Sequence, residues 1–317
     1  MRSVKNAKSA NYLQINHEIR KMLAEEGVIL KSSSEAYEEL EWIHEYLEQK
    51  PEEGYFVWVK KQIGYPISTC IAISSPKIYQ KPRNLIIVEN GIKAEIYSIC
   101  NAVKLTLYGK HEGRTTVILK ENSSLKIKHF HKWGPEDNVL SSTEFILEKG
   151  ATLSSSYKCL SPLKKLRVES KTLLDSNSSA NFETAVLAKN EDAELFDSLF
   201  LNGDKSSGIV KLRMVSQENS KILSHSKVAA TGAGRGHIDC MGLLLSDGSI
   251  INSVPELLNQ NKNAVLTHEA SIGRISEDEL NYLRSRGLTE DESTNLIITG
   301  FLGETITYVQ HSKLTKS

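Results

Sequence analysis

The sequence lacks paired cysteines and long apolar runs. Its four cysteines are scattered, and none belongs to a C-x-x-C pair: Cys70, Cys100, Cys159 and Cys240. This argues against a disulfide framework and against a self-contained zinc or cluster-binding ribbon. No apolar run approaches the ~18 residues of a membrane-spanning helix, and the first residues show no apolar signal-peptide core. We therefore expect a protein of the reducing cytoplasm that does not bind a membrane.

The sequence also lacks an excess of either charge and any catalytic signature. Lys and Arg total 39, as do Asp and Glu, so no strong net field attracts nucleic acid. Gly-x-Ser-x-Gly, His-Glu-x-x-His and paired-carboxylate patterns are missing. The run Gly232–Gly236 has no Gly-Lys-Ser/Thr ending, and strand-like residues follow it rather than a helix. We therefore expect neither nucleic acid nor nucleotide as a ligand, and no enzymatic activity.

What the sequence does contain is a recurring turn signal. Between residues 80 and 250, polar clusters recur with short β-branched runs between them, and from Ser176 onward their spacing is roughly 14 residues. Examples of these runs are Leu85–Val88, Thr115–Leu119 and Glu144–Leu147. The pattern fits either an antiparallel sandwich or a coil of parallel strands with two turns, roughly 28 residues, per coil. The turns are rich in Glu, Lys, Asn and Ser rather than Asn-Gly pairs, which weakens the hairpin alternative.

Helical patterns flank this region at its N-terminal side. The stretch from about Tyr12 to Glu26 is predicted to form a helix that stops at Gly27. A second helix is predicted to begin at the capping box Ser32-x-x-Glu35. Its apolar face comprises Ala36, Leu40, Ile43 and Leu47.

Two further capping boxes mark the C-terminal side. Ser276-x-x-Glu279 is predicted to begin a short helix that ends near Gly287, and Thr289-x-x-Glu292 to begin the next. We therefore expect a helical segment over residues 1–64, a β core over 65–255 and a helical subdomain over 256–317.

Cys240 is the first candidate functional residue. A thiolate can ligate iron or accept sulfur, and both roles require access and a lowered pKa. Arg235 and His237 precede it closely and would favour the thiolate if they pointed the same way. The alternative is a small side chain buried in the β core, which is common for free cysteines.

Three histidines are the other candidates. His268 beside Glu269 could bind iron or shuttle a proton, or it could be a strand-end histidine bound to a backbone carbonyl. His129 and His131 share one face of a predicted strand with Trp133, but no third metal ligand is evident in the sequence. Packing is therefore the favoured interpretation of that run. The remaining cysteines, Cys70, Cys100 and Cys159, are predicted to be core residues.

The stretch from Thr231 to Gly303 resembles the C-terminal half of the SufB/SufD family, the scaffold subunits of the SUF iron–sulfur cluster assembly machinery. Four segments carry the resemblance: Gly234–Cys240, Asn263–Ile275, Leu280–Gly287 and Leu296–Phe301. The resemblance implies a mainly β fold, a right-handed parallel β-helix flanked by N-terminal and C-terminal α-helices. It thereby favours the coil of parallel strands over the sandwich.

The resemblance also implies a function. The chain would be a scaffold that builds a transient iron–sulfur cluster at a β-helix dimer interface, with itself or a SufB/SufD paralogue as partner. Cys240 would take up sulfur or ligate iron, His268 would supply a second metal ligand, and Glu269 would orient or neutralise. An ABC-type ATPase, SufC, would dock on the C-terminal helices. The residues implied in that docking are Leu280, Tyr282, Arg284, Arg286, Gly287 and Phe301.

One residue departs from the SufB pattern and keeps an alternative open. SufB-type sequences often have Glu directly before the histidine, whereas this chain has Thr267. The chain could therefore be a SufD-like structural adaptor that recruits SufC without ligating a cluster. A carbohydrate-acting β-helix enzyme is disfavoured, because the strands show no cluster of Asp, Lys or Arg.

Overall fold

The computed structural model describes residues 9–161 and 163–303 of the chain, so residues 1–8 and 304–317 of the two predicted terminal segments lie outside the described part. The chain divides into two compact units, Met1–Ile272 and Gly273–Ser317. The first unit is almost entirely β, and the second contains two helices.

The strands of the described residues are numbered in chain order. They are β1 Ala10–Ile15, β2 Glu18–Leu23, β3 Val28–Ser32, β4 Tyr55–Val59, β5 Ile67–Ile73, β6 Ile78–Gln80, β7 Arg83–Val88, β8 Lys93–Ala102, β9 Gly109–Leu119 and β10 Ser124–Lys132. The series continues with β11 Asn138–Leu147, β12 Thr152–Cys159, β13 Lys165–Leu174, β14 Ser179–Lys189, β15 Asp192–Leu201, β16 Ser207–Gln217, β17 Lys221–Ala230, β18 Arg235–Leu244, β19 Ile250–Asn259 and β20 Val265–Arg274. The helices are α1 Ser33–Glu39, a 3₁₀ turn Glu41–Glu45, α2 Glu277–Ser285 and α3 Glu290–Leu302.

The strands form two ten-stranded sheets that run along the coil. One has the order β2-β1-β5-β8-β10-β12-β14-β16-β18-β20, and the other β19-β17-β15-β13-β11-β9-β7-β4-β3, with β6 beside β9. From β7 to β20 the chain alternates between the sheets, and neighbouring strands from β8 to β19 pair in parallel. Ser179 pairs with Ser207 and Ser207 with Arg235, so one coil takes about 28 residues. The predicted parallel β-helix is confirmed, with about eight coils, and the antiparallel sandwich is excluded.

The recurring turn signal corresponds to the corners of the coil. At one corner the same backbone position has a positive φ in successive coils, and its N–H donates to a carbonyl of the following coil. The residues at this position are Gly91, Asn122, Gly150, Asn177 and Lys205. Glycine and asparagine tolerate the left-handed conformation better than other residues, so the coil geometry explains most of this composition.

The hydrophobic core lies inside the coil, between the sheets. Along β15, for example, Ala193, Leu195 and Leu199 are buried because alternate side chains point inward. The predicted strands at Leu85–Val88 and Thr115–Leu119 lie within β7 and β9, and both contribute to buried clusters.

The predicted helix from Tyr12 to Glu26 is wrong: β1 and β2 occupy this stretch as an antiparallel pair. β1 also pairs in parallel with β5 and so extends the sheet. Tyr12 and Gln14 are buried on one side of β1, a period of two that the mixed apolar sequence did not reveal. Sheet pairing outweighed local helical preference here. Gly27 has a positive φ, as a helix cap would, but it precedes a strand.

The second predicted N-terminal helix is present but shorter. The capping box of Ser32 and Glu35 is confirmed at the start of α1, and a 3₁₀ turn follows instead of further helical turns. Ala36, Ile43 and Leu47 are buried as expected. They pack with Phe56, Leu85, Ile87 and Ile118 in a second, smaller core.

The C-terminal capping boxes are both confirmed, at the starts of α2 and α3. The strands run further than residue 255, because β19 ends at Asn259 and β20 at Arg274. Within the second unit α2 packs against α3. Among residues 9–161 and 163–303, no helix combines the length and apolarity that a membrane crossing requires.

Gly203 provides a test of the close stacking of corners. A Cβ on this residue would overlap the backbone nitrogen of Ser176 in the preceding coil. Gly203→Ala is therefore expected to destabilise the protein by about 1–3 kcal/mol, as overpacking does. Gly64→Ala is the control, because no atom lies within 4 Å of a Cβ there. Thermal unfolding followed by circular dichroism compares the two; equal midpoints would contradict the proposed crowding.

Candidate functional site

Cys240 lies inside the β-helix, on β18. Its side chain is 1% exposed, and strand alternation directs it inward. The hydroxyls of Ser226 on β17 and Ser253 on β19 face the sulfur from the opposite sheet. The structure therefore places the thiol in a partly polar interior rather than at an open surface.

The pKa of Cys240 moves in the direction opposite to that of an activated thiolate. Burial raises the pKa of the thiol, and Asp197 and Asp239 raise it further, while the hydroxyls of Ser253 and Ser226 lower it. In this conformation the sulfur is a thiol at neutral pH.

His268 shares the inward face with Cys240. Val265 N–H donates to the Gly234 carbonyl at 2.9 Å, as Arg235 N–H does to Ser206 one coil earlier. This register places Ala270 beside Cys240 on β20, with His268 two residues before it. Alternation then directs both side chains to the same face. His268 is exposed because β20 is the last strand of its sheet.

Glu269 and the two expected supporting residues lie on the outer face instead. His237 Nδ1 is 2.8 Å from Thr267 Oγ1, and its Nε2 is 3.5 Å from Glu269 Oε1. Arg235 is exposed on the same face. The expectation that Arg235 and His237 favour the Cys240 thiolate is therefore not met, because odd and even positions of a strand point to opposite sides.

An ion pair fastens the strand that carries Cys240. Arg213 on β16 binds Asp239 on β18 through both terminal nitrogens, at 2.9 and 2.7 Å. Both side chains project from the outer face of the sheet, yet little of either is exposed to solvent. This bidentate geometry holds the neighbouring backbone of Cys240 in register.

A second cluster lies elsewhere in the interior. Cys100 Sγ is 3.4 Å from His129 Nε2, and His131 Nε2 is 2.9 Å from the same atom. The three donor atoms all lie within 4.8 Å of one another. His131 pairs in register with Cys100 on β8, and His129 lies two residues earlier on the same side of β10, so the pairing brings the three side chains together. Sequence reasoning found the two histidines but missed Cys100; the coil period of about 28 residues was the signal that connects them.

Aromatic and polar side chains surround this cluster. Tyr157 Oη is 2.8 Å from His131 Nδ1, and His111 Nδ1 is 3.2 Å from Gln80 Oε1. Trp133 is fully buried and packs against the rings of His111 and His131, as the packing interpretation expected. Burial lowers the pKa of His111 to about 3 and that of His129 to about 4, so these imidazoles are neutral at pH 7.

The other predicted core cysteines are partly as expected. Cys100 and Cys159 are buried, whereas Cys70 is only half-buried. A cavity of about 50 Å³ reaches from His129 and Tyr157 to Asp197. Burial raises the pKa of Asp197 to about 6. The inside of the β-helix therefore contains polar groups along its length.

The expected docking residues lie in the second unit, where α2 and its cap expose most of them. Tyr282 is 60% exposed, and the Arg286 guanidinium lies 5.4 Å from its ring centre. Arg284 approaches Glu290 at 3.9 Å. Leu280 and Phe301 are half-buried, and Gly287 takes a positive φ after α2.

Comparison with known proteins identifies the family. The profile described as "SUF system FeS cluster assembly, SufBD core domain" matches residues 71–301. The chain belongs to the SufB/SufD family. The match covers nearly all of the β-helix together with α2 and most of α3, and it supports a role in iron–sulfur cluster assembly.

Relatives carry the same description. A protein of Archaeoglobus fulgidus named "Iron-sulfur cluster assembly SufBD family protein" is 28% identical over 94% of this chain and 85% of its own length. One of Methanothermobacter thermautotrophicus is 30% identical over 80% of this chain and 63% of its own length. One of Pyrococcus horikoshii is 30% identical over 77% of this chain and 75% of its own length. This SufB/SufD protein thus spans less than two thirds of the Methanothermobacter relative.

The neutral buried histidines predict how stability depends on pH. The unfolded state takes up protons below about pH 6.5, whereas folded His111 and His129 remain neutral down to about pH 3 and 4. Their contribution to the free energy of unfolding is therefore fully present above about pH 6.5 and is lost as the pH falls toward their folded pKa values. Between pH 6.5 and its folded pKa, each of these histidines lowers the free energy of unfolding by up to about 1.4 kcal/mol for every pH unit of acidification. His111→Asn keeps a donor for Gln80 and removes one titrating group, so its free energy of unfolding should fall less steeply than that of the unmutated protein, by up to this amount. Urea unfolding at a series of pH values between about 4 and 7 measures how the free energy of unfolding changes with pH in each protein.

A buried carboxyl group, Glu191, provides a control whose effect on stability has the opposite dependence on pH. Burial raises the pKa of Glu191 to about 8, so its contribution is lost as the pH rises from 4.5 through that value. Glu191→Gln should flatten the alkaline side of the stability profile and leave the acid slope alone. An acid slope unchanged in His111→Asn would contradict the assignment.

Proposed function

We propose that this SufB/SufD protein is a scaffold subunit on which a nascent iron–sulfur cluster is assembled, in partnership with a SufC-type ABC ATPase. The iron and sulfur are cargo rather than a resident cofactor. One observation carries the proposal: Cys240 and His268 lie on the same inward face of β18 and β20, at the end of the β-helix. A thiolate and an imidazole are suitable ligands for iron.

The end of the β-helix supports pairing with a second subunit. Among residues 9–161 and 163–303, β19 and β20 are the last strands of their sheets, so within this part of the chain each has one backbone edge without a neighbouring strand. Apolar side chains on these strands are exposed: Ile250, Val254, Leu258, Val265 and Ile272. A copy of this chain or a paralogue that paired here would cover the edge and bring further ligands beside His268.

Cluster assembly requires the last coil to open. Cys240 lies one strand inside the edge and is a buried thiol in the closed form. Displacement of β20 would expose the sulfur, and loss of desolvation would remove the main cause of its raised pKa. We assign the force for this opening to the ATPase, which would dock on α2 and α3 and strain the dimer on closure.

A SufD-like adaptor is the second candidate, and specific observations favour it. The thiol of Cys240 is buried, Glu269 lies on the outer face, and Thr267 is hydrogen-bonded to His237. An adaptor would recruit SufC through α2 and α3 and contribute no ligand to the cluster.

Reconstitution with iron, sulfide and a thiol donor distinguishes the two candidates. For a scaffold, Cys240→Ser and His268→Ala should lose most of the cluster absorbance and the protein-bound iron and sulfide. Cys159→Ser is the matched control, because Cys159 is also a buried thiol on the inward face. If both site variants held as much cluster as the control, the ligand assignment would fail and the adaptor would be supported.

The oligomeric state tests the interface separately. Val265 is 53% exposed on the edge strand, and Val265→Lys would place a charge in the proposed seam. We expect it to weaken self-association at least about tenfold, or about 1.4 kcal/mol. Ile99→Lys, at an exposed position on the interior strand β8, should not. Sedimentation equilibrium measures both; a dimer that tolerates Val265→Lys would place the interface elsewhere.

A further inference from the structure

The cluster of Cys100, His129 and His131 is not used by the proposed assembly site. We infer that it is a binding site for one divalent transition-metal ion of borderline softness, the class that includes Zn²⁺ and Co²⁺. One thiolate and two imidazoles form a donor set typical of such ions. The three side chains come from the neighbouring strands β8 and β10.

The spacing of the donor atoms fits a single ion. A tetrahedral ion holds imidazole nitrogens at about 2.0–2.1 Å and a thiolate at about 2.3 Å, which separates the ligand atoms by about 3.4–3.6 Å. Cys100 Sγ and His129 Nε2 are already 3.4 Å apart. The two Nε2 atoms, 2.9 Å apart, would need to separate by a few tenths of an ångström.

The protonation states also suit a metal. Burial keeps His129 and His131 neutral, which is the form in which imidazole ligates. Burial raises the pKa of the Cys100 thiol, so its proton leaves only when a cation takes its place. The site therefore releases one proton on binding the ion and holds no net charge of its own beforehand.

The surroundings complete the coordination. Tyr157 Oη lies 2.8 Å from His131 Nδ1, and such a partner fixes the ring of a ligating histidine. His111 is not one of the three residues whose donor atoms converge, and its Nδ1 is hydrogen-bonded to Gln80. The cavity of about 50 Å³ that His129 and Tyr157 line has room for a water molecule as the fourth ligand.

Edge-to-face ring contacts do pack this region, as the sequence interpretation expected. Packing alone does not require that two nitrogens and a sulfur converge, because rings can stack with their polar atoms turned apart. That convergence is the observation that points to a cation.

The experiment uses the full chain with Cys240→Ala, so that the proposed assembly site contributes no thiolate. Titration with Co²⁺ should produce a thiolate-to-cobalt charge-transfer band and d–d bands of four-coordinate intensity, saturating at one equivalent. Adding Cys100→Ala should abolish the charge-transfer band. Adding Cys159→Ala should retain the band. Cys159 is the matched control because it is also a buried thiol in register with His131, one coil further along, but it is not one of the three converging donors.

A milder variant keeps the test decisive if Cys100→Ala does not fold. Tyr157→Phe leaves the three ligands in place and should retain the band while weakening Co²⁺ binding by about 10- to 100-fold. No charge-transfer band in the Cys240→Ala protein, or a band that survives Cys100→Ala, would overturn the site. Either result would leave the assembly function untouched, because Cys240 is absent from every sample.

Discussion

The backbone ladder between successive coils is the constraint on which the rest of this structure depends. Each strand of the coil pairs in parallel with the strand about 28 residues away, and this register repeats from β8 to β19. The ladder satisfies the backbone groups and stacks equivalent positions on one another. A cysteine, a histidine and another cysteine therefore lie in line at Cys100, His131 and Cys159. Chemistry far apart in sequence becomes adjacent through this single rule.

The same ladder makes the end of the coil different from its middle. Interior strands have a neighbour on both sides, whereas β19 and β20 have only one within the described part of the chain. Exposed apolar residues and the exposed His268 collect there, while Cys240 remains covered one strand further in. An edge of this kind favours association, and its last strand is the one whose displacement breaks the fewest pairings.

The interior is unusual in what it buries. Neutral histidines, protonated thiols and carboxyls with raised pKa lie among the aliphatic core residues. Burial favours the uncharged form of each group, so the coil holds reactive side chains without their charges. Two separate sets result, one around Cys240 near the end and one around Cys100. A cation or an opening of the coil would be needed to activate either.

The sequence by itself determined the coil, the three capping boxes and the family. The capping boxes follow from a side chain three residues from its cap. The turn residues at a fixed period left a sandwich and a coil open, and the family resemblance carried by the segments around Cys240 and His268 decided for the coil. Only the tertiary structure decided that Tyr12 to Leu23 forms strands, because β5 offers a pairing partner that local preference does not encode. It also decided that Glu269 and His237 face away from Cys240, and that Cys100 completes a triad with His129 and His131. Register across coils sets both, and a one-residue shift in pairing would exchange the inner and outer faces.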